Sequence, residues 1–465
     1  MCGVSALSFT REIAEIRFGT GLSPRLRGPR DIDDMMRRLT GRDHAAQTYK
    51  IEPFEEFAAR IARVTALWEI RRADRGSQAA EKATQDIGVE KRRARKAQQR
   101  WLWQALRRRA HTQDGLRERL AFFWGDHFTA RGKVSVMKRA TSPYVESAIR
   151  PYVAGSFADM LKAVTAQPVM LHYLDQKASV GPDSVAGQKK NNGLNENLAR
   201  EILELHTLGV GGPYSQRDVT ELAELLTGLT YSQDGVFGFR DDFAQPGAET
   251  VLGKSYGGGA TALADVHAAL EDLARHPATA RHLAQKMAVH FVSDRPDPAL
   301  VAAMEARYLE TGGHLGEMTH AMLSHPAAWA PDFVNVKQPV DFIGSALRAL
   351  SVPNEALAVN DWKAIRLAFT VPMRLMGQTW EEPLGPDGWP EDDGEWITPQ
   401  RFAARVDWAM SAPQGLLAEL PDPREFVSAA LGRNVPEALR FAANAAEDRR
   451  TGVGLVLASP AFQRM

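Results

Sequence analysis

The densest group of polar side chains in the sequence lies in the segment N-E-N-L-A-R-E-I-L-E-L-H-T-L-G, at 195–209. On an α-helix, which turns about 100° per residue, four of them fall within one arc of about a third of a turn. They are Asn197, Arg200, Glu201 and Glu204. Carboxylates on one helix face, next to an arginine and an amide, can bind a metal ion or act as a general base.

Two interpretations of this polar face stay open. In the structural one, Glu196 and Arg200 form an i,i+4 ion pair, and the whole group ties neighbouring helices together through buried hydrogen bonds. In the functional one, Glu201 or Glu204 is a metal ligand or a general base. We favour the structural interpretation, because clusters of arginine and carboxylate side chains commonly serve the architecture of a protein.

The functional interpretation needs a third group, and His127 is the best supplier. His206 falls in the middle of the apolar side of the helix, so Glu201 and His206 point apart and cannot share one ion. His127 lies in F-F-W-G-D-H-F, flanked by aromatic residues and directly after Asp126. A histidine in this setting is more often a core or capping residue, but beside a carboxylate it can hold a metal ion or move a proton.

The candidate catalytic set is therefore His127, Asn197, Arg200, Glu201 and Glu204. If the chain uses a divalent metal, the predicted ligands are His127, Glu201 and Glu204. We expect His127 to contact the polar face, because polar groups set among residues that must be buried need partners.

A second row of basic side chains, His282, Lys286 and His290, has i,i+4,i+8 spacing. Two histidines eight residues apart do not converge on one ion, so the row is predicted to be the solvated face of its helix. His276 precedes Pro277 and is predicted to cap the start of the same helix.

The run at 91–109 carries nine Lys or Arg residues and no acidic one. Its charges have helical spacing, and Trp103 with Leu106 can be buried on the other side. We predict an exposed amphipathic helix, which suits partner docking better than nucleic-acid binding. The whole chain has 57 basic and 57 acidic residues, so no net charge draws it to nucleic acid or to an anionic membrane.

Most of the 465-residue chain shows the 3.6-residue apolar period, and its segments end at glycine or proline. The sequence therefore predicts a mainly α, multi-helix globular body. G-V-F-G-F-R at 235–240 and E-T-V-L-G-K at 249–254 predict a small β-hairpin. The segment 377–396 is rich in Trp, Pro and Gly and is predicted to be a loop whose tryptophans plug onto the helical core or cover a pocket.

We predict one domain over 1–465, with sub-lobes at 1–150, 151–350 and 351–465. Cys2, the single cysteine, excludes an intramolecular disulfide. No run approaches the roughly 18 apolar residues of a membrane span and no signal peptide is recognisable, so the chain is expected to be cytoplasmic. The nucleophile-elbow, Walker-A, dinucleotide-binding and H-E-x-x-H motifs are missing from the sequence, which removes most support for the common hydrolase, kinase and dehydrogenase classes.

Several motifs, taken in chain order, resemble those of the bacterial family of unknown function DUF1800. They are F-F-W-G-D-H-F-T (122–129), M-L-H-Y-L-D (170–175), the segment at 195–209, Y-S-Q-R-D-V-T-E-L-A (214–223), H-P-A-T-A-R (276–281), T-G-G-H-L (311–315), K-Q-P-V-D-F (337–342), M-G-Q (376–378), G-W-P (388–390) and the ending L-A-S-P-A-F-Q-R. Together they cover nearly the whole chain. The resemblance implies a mostly helical fold and no established reaction.

The sequence departs from the family pattern at two places. The usual W-H-N-H-F reads W-G-D-H-F here, and the hairpin region lacks the His-Asp pair expected before V-L-G. The second departure argues against a ligand role for the hairpin.

Members of the family are often encoded beside exported proteins with a sulfatase-like fold, which implies that they act as partners of those proteins. The first functional prediction is therefore an accessory or binding partner of an exported sulfatase-like protein, and co-export with such a partner to the periplasm is the alternative to a cytoplasmic location. The alternative is a metal-dependent hydrolase or oxidoreductase that uses the carboxylates at 201–204 with His127. Whether the chain is an enzyme stays open.

Overall fold

The computed structural model describes residues 8–189, 193–259, 262–433 and 435–465, so Cys2 lies outside the described residues. Helices make up most of the described chain, which confirms the prediction of a mainly α, multi-helix protein. The longer α-helices are α1 (Ile32–Thr40), α2 (Phe54–Ala73), α3 (Gln78–His111), α4 (Gly115–His127), α5 (Thr141–Ala148), α6 (Phe157–Thr165), α7 (Gln216–Leu225), α8 (Leu263–Ala274), α9 (Pro277–Phe291), α10 (Pro298–Glu310), α11 (Leu315–Ser324), α12 (Pro339–Ala349), α13 (Pro399–Ser411), α14 (Pro423–Leu431), α15 (Glu437–Ala445) and α16 (Arg449–Ala458).

Shorter helical elements join the long ones. Short α-helices are Arg11–Ile13, His44–Thr48, Pro168–Tyr173, Asn197–Glu201, Trp362–Ile365, Val371–Leu375, Asp393–Trp396, Pro413–Leu416 and Pro460–Gln463. The π-helical segments Ala14–Phe18, Ile202–Thr207 and Arg366–Thr370 each continue a short α-helix, and 3₁₀ turns occur at Ser135–Arg139, Arg150–Tyr152, Gln176–Ala178 and Pro326–Trp329. None of the helices in the described ranges is both long enough and apolar enough to cross a bilayer.

Local capping residues fix where several helices begin. The Ser215 hydroxyl accepts a hydrogen bond from the Asp218 N–H, and the Asp218 carboxylate accepts one from the Ser215 N–H, a capping box that opens α7. At the start of α9, His276 accepts a hydrogen bond from the Ala278 N–H and Pro277 takes the first helical position, which confirms the predicted cap. Such signals depend only on neighbouring residues and are therefore readable from sequence.

The small β element predicted near 235–254 is present, but the described residues form two antiparallel hairpins instead of one. β1 (Leu229–Tyr231) pairs with β2 (Phe237–Phe239), and β3 (Ala248–Val251) pairs with β4 (Lys254–Gly257). Leu252 and Gly253 form the two-residue turn between β3 and β4, and both have positive φ, as in a type I′ turn. This tight turn folds β4 onto β3, so β3 does not pair with β2.

Buried apolar side chains of the described residues form two clusters. One extends from Ile13 to Trp329, and the other from Val340 to Phe462 together with four residues of α3. Because α3 contributes side chains to both clusters, it joins the two parts of the interior. The proposed sub-lobe boundaries stay a prediction.

The basic run at 91–109 forms the second half of α3. Its first residues, Lys91 to Arg93, are exposed, whereas Arg108 and Arg109 are only 1 % and 3 % exposed. Arg108 donates two hydrogen bonds to the Glu146 carboxylate, at 2.6 and 3.0 Å. The prediction of an exposed helix is therefore wrong for the last turns, because their charges neutralise carboxylates in the interior.

A buried ion network joins α3, α4 and α12 to the loop at 377–396. The Asp341 carboxylate lies 3.4 Å from Arg109 Nε and 3.5 Å from Arg119 Nη1. Arg119 Nη2 is 3.2 Å from His290 Nε2, and His290 Nδ1 is 3.0 Å from Glu391. The network holds the loop against the helical body.

Candidate functional site

The polar segment at 195–209 contains two helical geometries. Asn197–Glu201 is α-helical and Ile202–Thr207 is a π-helix, in which the Thr207 hydroxyl also donates to the Ile202 carbonyl at 2.6 Å. Turns of this kind are rare and occur frequently at functional sites. The wider turn changes the angles expected beyond residue 201, yet His206 is buried on the apolar side as predicted, with 2 % exposure.

The polar face of this segment lies near the surface rather than in the interior, since its members are exposed or partly exposed. Arg200 donates to Glu196 at 3.2 Å and to Glu204 at 3.3 Å, so the predicted i,i+4 pair is confirmed. Arg200 also donates to Gln216 on α7 at 2.9 Å. These contacts tie the segment to α7, but ion pairs so close to solvent contribute only about 0.2–1 kcal/mol each.

Glu201 differs from the other carboxylates of the segment because no group in the described ranges donates a hydrogen bond to it. Burial, followed by the charges of Glu204 and Asp387, raises the pKa of Glu201 to about 7, and Arg200 opposes this rise. A carboxyl group with such a pKa is partly protonated at neutral pH and can both accept and donate a proton.

His127 lies beside the segment, but on its apolar side. The residue is 1 % exposed, and its Nε2 is 3.2 Å from the carbonyl oxygen of His206. Its Nδ1 has no hydrogen-bond partner among the described residues. Burial, with Lys286 nearby, lowers the pKa of His127 well below the ordinary value, so its ring is neutral. His127 therefore contacts the backbone of the segment, and its catalytic use stays a prediction.

Three side chains that hold one ion must bring their ligand atoms close together. In the described part of the chain, such a group is formed by Glu221, Glu224 and Glu249, whose ligand atoms lie within 4.8 Å of one another. The predicted ligands His127, Glu201 and Glu204 do not form a group of this kind there.

Asp126 holds the tight turn at G-W-P. The Trp389 N–H donates to both Asp126 carboxyl oxygens, at 3.0 and 3.1 Å. Gly388 has a φ of 86°, and a Cβ on it would lie 2.6 Å from Asp126 Oδ2, so glycine is required. Burial raises the pKa of Asp126 to about 8, although Lys286 opposes this rise. At neutral pH Asp126 is therefore a neutral acid, in the place where the family pattern W-H-N-H-F has asparagine.

The row on α9 is not a solvated face as predicted, because His290 is buried and His282 and Lys286 are only partly exposed. His290 is 4 % exposed, and its Nδ1 lies 3.0 Å from both Glu391 oxygens. His282 Nε2 is 3.2 Å from the Leu205 carbonyl oxygen. The loop at 377–396 and the polar segment cover this side of α9, and the sequence does not show that they do.

Asp387 acts electrostatically on two carboxyl groups with raised pKa, those of Asp126 and Glu201. After burial, its charge contributes to the raised pKa of both Asp126 and Glu201, and it directly precedes Gly388, which packs against the Asp126 carboxylate. We call Asp126, Glu201 and Asp387 the acid cluster. Its members come from α4, the polar segment and the loop, which are far apart in sequence, and Lys286 on α9 is the nearby cation that lowers the pKa of Asp126.

A cavity of about 100 Å³ adjoins the acid cluster at Asp126. Trp380 and Trp389 of the loop line it, whereas Trp396 is buried in the interior with 1 % exposure. The loop therefore shows both predicted behaviours, because Trp396 packs it against the core and Trp380 and Trp389 cover a pocket.

Glu381 places a second carboxyl group with raised pKa on the wall of this cavity. Its φ of 59° is a conformation that residues other than glycine seldom adopt, and its carboxylate contacts the Ser142 hydroxyl. Burial raises the pKa of Glu381 to about 7. Asp126 and Glu381 thus give the cavity two groups that can donate a proton at neutral pH.

Sequence analysis did not identify Asp387, Glu381, Lys286 or Glu391 as site residues. Asp126 was noted only as the neighbour of His127. A signal was available in P-D-G-W-P, since a Pro-Asp-Gly turn inside a Trp-rich loop is typical of a shaped functional loop. Nothing in the sequence indicates which helix that loop covers.

Replacing Asp126 by asparagine is expected to stabilise the protein at neutral and alkaline pH. The raised pKa means that the stability of the natural chain is lost as pH rises from the ordinary value of 3.8 towards about 8. Asparagine keeps the acceptor for Trp389 without ionising, so Asp126→Asn should raise the free energy of unfolding by roughly 2 kcal/mol at pH 8 and by much less at pH 4. Urea unfolding at both pH values measures this difference.

The matched control is Asp407→Asn, at an exposed aspartate of α13. It should change the free energy of unfolding little at either pH. A lower stability of Asp126→Asn than of the natural chain at pH 8 would show that the Asp126 carboxylate is ionised and needed.

Comparison with known proteins identifies a family but no characterised relative. The model of the family described as "Protein of unknown function (DUF1800)" matches residues 17–464, nearly the whole chain. No curated protein matches the sequence, and no solved structure matches the fold.

Proposed function

This chain belongs to the DUF1800 family, and we propose that it is an enzyme whose acid cluster carries out general acid–base catalysis, with Glu201 as the group that transfers the proton. The observation that carries this proposal is the state of the Glu201 carboxyl group. It is half-buried next to Glu204 and Asp387, and no group in the described ranges donates a hydrogen bond to it. A residue kept only to hold helices together would be paired, as Glu196 and Glu204 are with Arg200.

A general acid–base group such as Glu201 needs only water as a co-reactant to catalyse hydrolysis. Hydrolysis is therefore the reaction class that we propose. Glu201 would take a proton from water as the water oxygen forms a bond to the substrate, and would return that proton to the leaving group as the scissile bond breaks. Asp126, as a neutral acid, can donate a hydrogen bond to a substrate oxygen on which charge develops. His127 then serves as part of the buried wall beside the segment.

The charges around the acid cluster restrict the charge of the substrates that can bind. Glu204 and Asp387 raise the pKa of Glu201, and Glu391 and Asp387 contribute to the raised pKa of Asp126. At Glu201 these carboxylates outweigh Arg200, so the potential there is negative and repels anions, whereas at Asp126 the largest charge effect comes from Lys286. We therefore expect a neutral or cationic polar substrate rather than a sulfate or phosphate ester.

A panel of uncharged esters, amides and glycosides, each paired with an anionic analogue, tests this function. The purified protein should hydrolyse at least one uncharged member and prefer it to its anionic analogue. Equal rates for the natural chain and for Glu201→Gln, or a preference for the anions, would contradict the proposal.

The second proposal is an accessory role towards an exported sulfatase-like protein, with location in the cytoplasm or, by co-export, in the periplasm. Two exposed leucines support it: Leu367 is 73 % and Leu375 57 % exposed, and the partly buried Val371 lies between them in the chain. Exposed apolar side chains that lie close together are typical of surfaces that bind another protein.

Replacing Leu367 and Leu375 together by aspartate is expected to reduce co-purification with a co-expressed exported protein of sulfatase-like fold. Val236→Asp is the control, because that valine is 60 % exposed on the β1–β2 loop. Cell fractionation is the second measurement. Equal co-purification of the natural chain and both variants, or a chain found only in the cytoplasm while the co-expressed partner is exported, would contradict this role.

A further inference from the structure

We propose that a groove between α3 and the helical segment at 362–375 binds a small organic molecule that carries phosphate groups. Its volume is about 470 Å³, within the range of roughly 300–1,000 Å³ typical of small-molecule sites. Four arginines from separate parts of the chain line this groove, which we call the arginine groove: Arg95, Arg139, Arg366 and Arg374. Arginines gathered in one concave site are typical of proteins that recognise phosphate.

Three of these arginines have no anionic partner. Arg95, Arg366 and Arg374 form neither an ion pair nor a side-chain hydrogen bond with any of the described residues, although all three lie on the wall of the groove. Arg139 alone is paired, at 2.9 Å from Glu382, the one carboxylate that lines the groove in the described part of the chain. Because a guanidinium group stays charged, the groove keeps an excess of positive charge, which attracts an anion.

The side chain of Gln99 gives a second indication of a ligand, independent of the charges. Gln99 lies on the wall of the groove and is only 7 % exposed. Its Oε1 accepts a hydrogen bond from the Thr370 hydroxyl, whereas its Nε2 donates to none of the described residues. A buried donor without an acceptor is costly, so an oxygen atom of a ligand in the groove would stabilise this amide.

The donors and the charge of the arginine groove favour phosphate over carboxylate. A phosphate group offers three acceptor oxygens and about two negative charges at neutral pH, and it accepts paired hydrogen bonds from the arginine fork. A single carboxylate would neutralise only one of the three unpaired arginines. The indole of Trp362 forms an apolar part of the wall, and Lys96 Nζ lies 5.7 Å from the centroid of its ring. The ligand should therefore have an organic part that packs on Trp362.

The arginine groove is separate from the acid cluster, although Trp380 lines both the groove and the cavity beside Asp126. A bound phosphate compound would contact the loop at Thr379 and Trp380 and would hold this part of the loop against α3. The potential at Glu201 repels anions, so this compound is not the substrate proposed for the acid cluster. Its binding can be measured without any activity, and the proposal does not depend on the proposed catalysis.

Isothermal titration calorimetry of the full chain at neutral pH and low ionic strength, with pyrophosphate, phenyl phosphate and ADP as separate probes, tests the site. We expect at least one organic probe to bind with a stoichiometry of one, more tightly than pyrophosphate, and with an affinity that falls as salt is added. Arg366→Gln combined with Arg374→Gln should weaken this binding at least tenfold, because two charge-assisted donors are lost. The matched control, Arg424→Gln combined with Arg433→Gln, removes two exposed arginines that do not line the groove and should bind as the natural chain does.

Circular dichroism shows whether the double variant in the groove is folded, and Arg95→Gln serves as the second variant if it is not. Failure of all three probes to bind at millimolar concentration would overturn the proposal, and so would binding that the groove substitutions leave unchanged or that the control weakens equally. Pyrophosphate that binds more tightly than both organic probes would overturn the assignment of an organic ligand. Polyglutamate, titrated in the same way, would overturn the proposal if it alone bound, because the groove would then be a docking surface for an acidic protein.

Discussion

Glu201→Gln is expected to lower kcat of the proposed hydrolysis by about 10²- to 10⁴-fold, the range typical of a lost general acid or base. Glutamine keeps the size of the side chain but cannot accept or return a proton, so KM should change much less than kcat. Glu196→Gln is the matched control on the same segment, because Glu196 is already paired with Arg200 and is not among the charges that raise the pKa of Glu201. A similar loss of kcat in both variants would contradict the assignment of Glu201.

The stability of Glu201→Gln also distinguishes a catalytic role of Glu201 from a structural one. The raised pKa of Glu201 means that stability is lost as pH rises from the ordinary 4.5 towards about 7. Removing the charge should therefore stabilise the chain by about 1 kcal/mol at pH 8, after allowance for screening by solvent, and change it little at pH 4. A scaffold residue would behave in the opposite way, since Glu201→Gln would then be less stable at both pH values.

Asp341→Asn is expected to lower the free energy of unfolding by about 3–5 kcal/mol, because it leaves two buried guanidinium groups without their counter-charge. Arg119 and Arg109 both face this carboxylate and are 1 % and 3 % exposed. Burial opposes ionisation of Asp341, but Arg119 and Arg109 together hold its pKa below the ordinary value. Its contribution is thus present at neutral pH and is lost as pH falls through the lowered pKa.

Urea unfolding at pH 7 measures this loss, with the exposed Asp407→Asn as control. Because Arg119 also contacts His290, which binds Glu391 of the loop, the variant should loosen the loop at 377–396 as well. A loss below about 1 kcal/mol would mean that water or a rearranged arginine replaces Asp341 and that the network does not anchor the loop.

Structural features that depend only on neighbouring residues could be predicted from the sequence. The Pro277 start of α9 was predicted because it needs only side chains within a few positions, and the capping box at Ser215 depends on its neighbours in the same way. The pairing of the hairpins was not predicted correctly. It depends on positive φ at Leu252, and a leucine gives no sequence signal for that conformation.

The candidate site was only partly predictable for the same reason. The contacts of Arg200 with Glu196 and Glu204 have i,i+4 spacing and could be read from the segment alone. The approach of Asp387 to Glu201, and the burial of His290 against Glu391, join positions far apart in the chain. Helical periodicity states which residues share a face, but not which distant loop covers that face.

The pKa of the Glu201 carboxyl group decides whether this residue transfers a proton or only joins helices. Carbon-detected NMR of the glutamate carboxyl groups over pH 3–9, with Glu201→Gln to assign the resonance, gives this value without knowledge of the substrate. We expect a pKa of about 7 that falls when Asp387 is replaced by asparagine. A pKa at or below the ordinary 4.5, unchanged in Asp387→Asn, would contradict it and would leave the segment as a structural connection to α7.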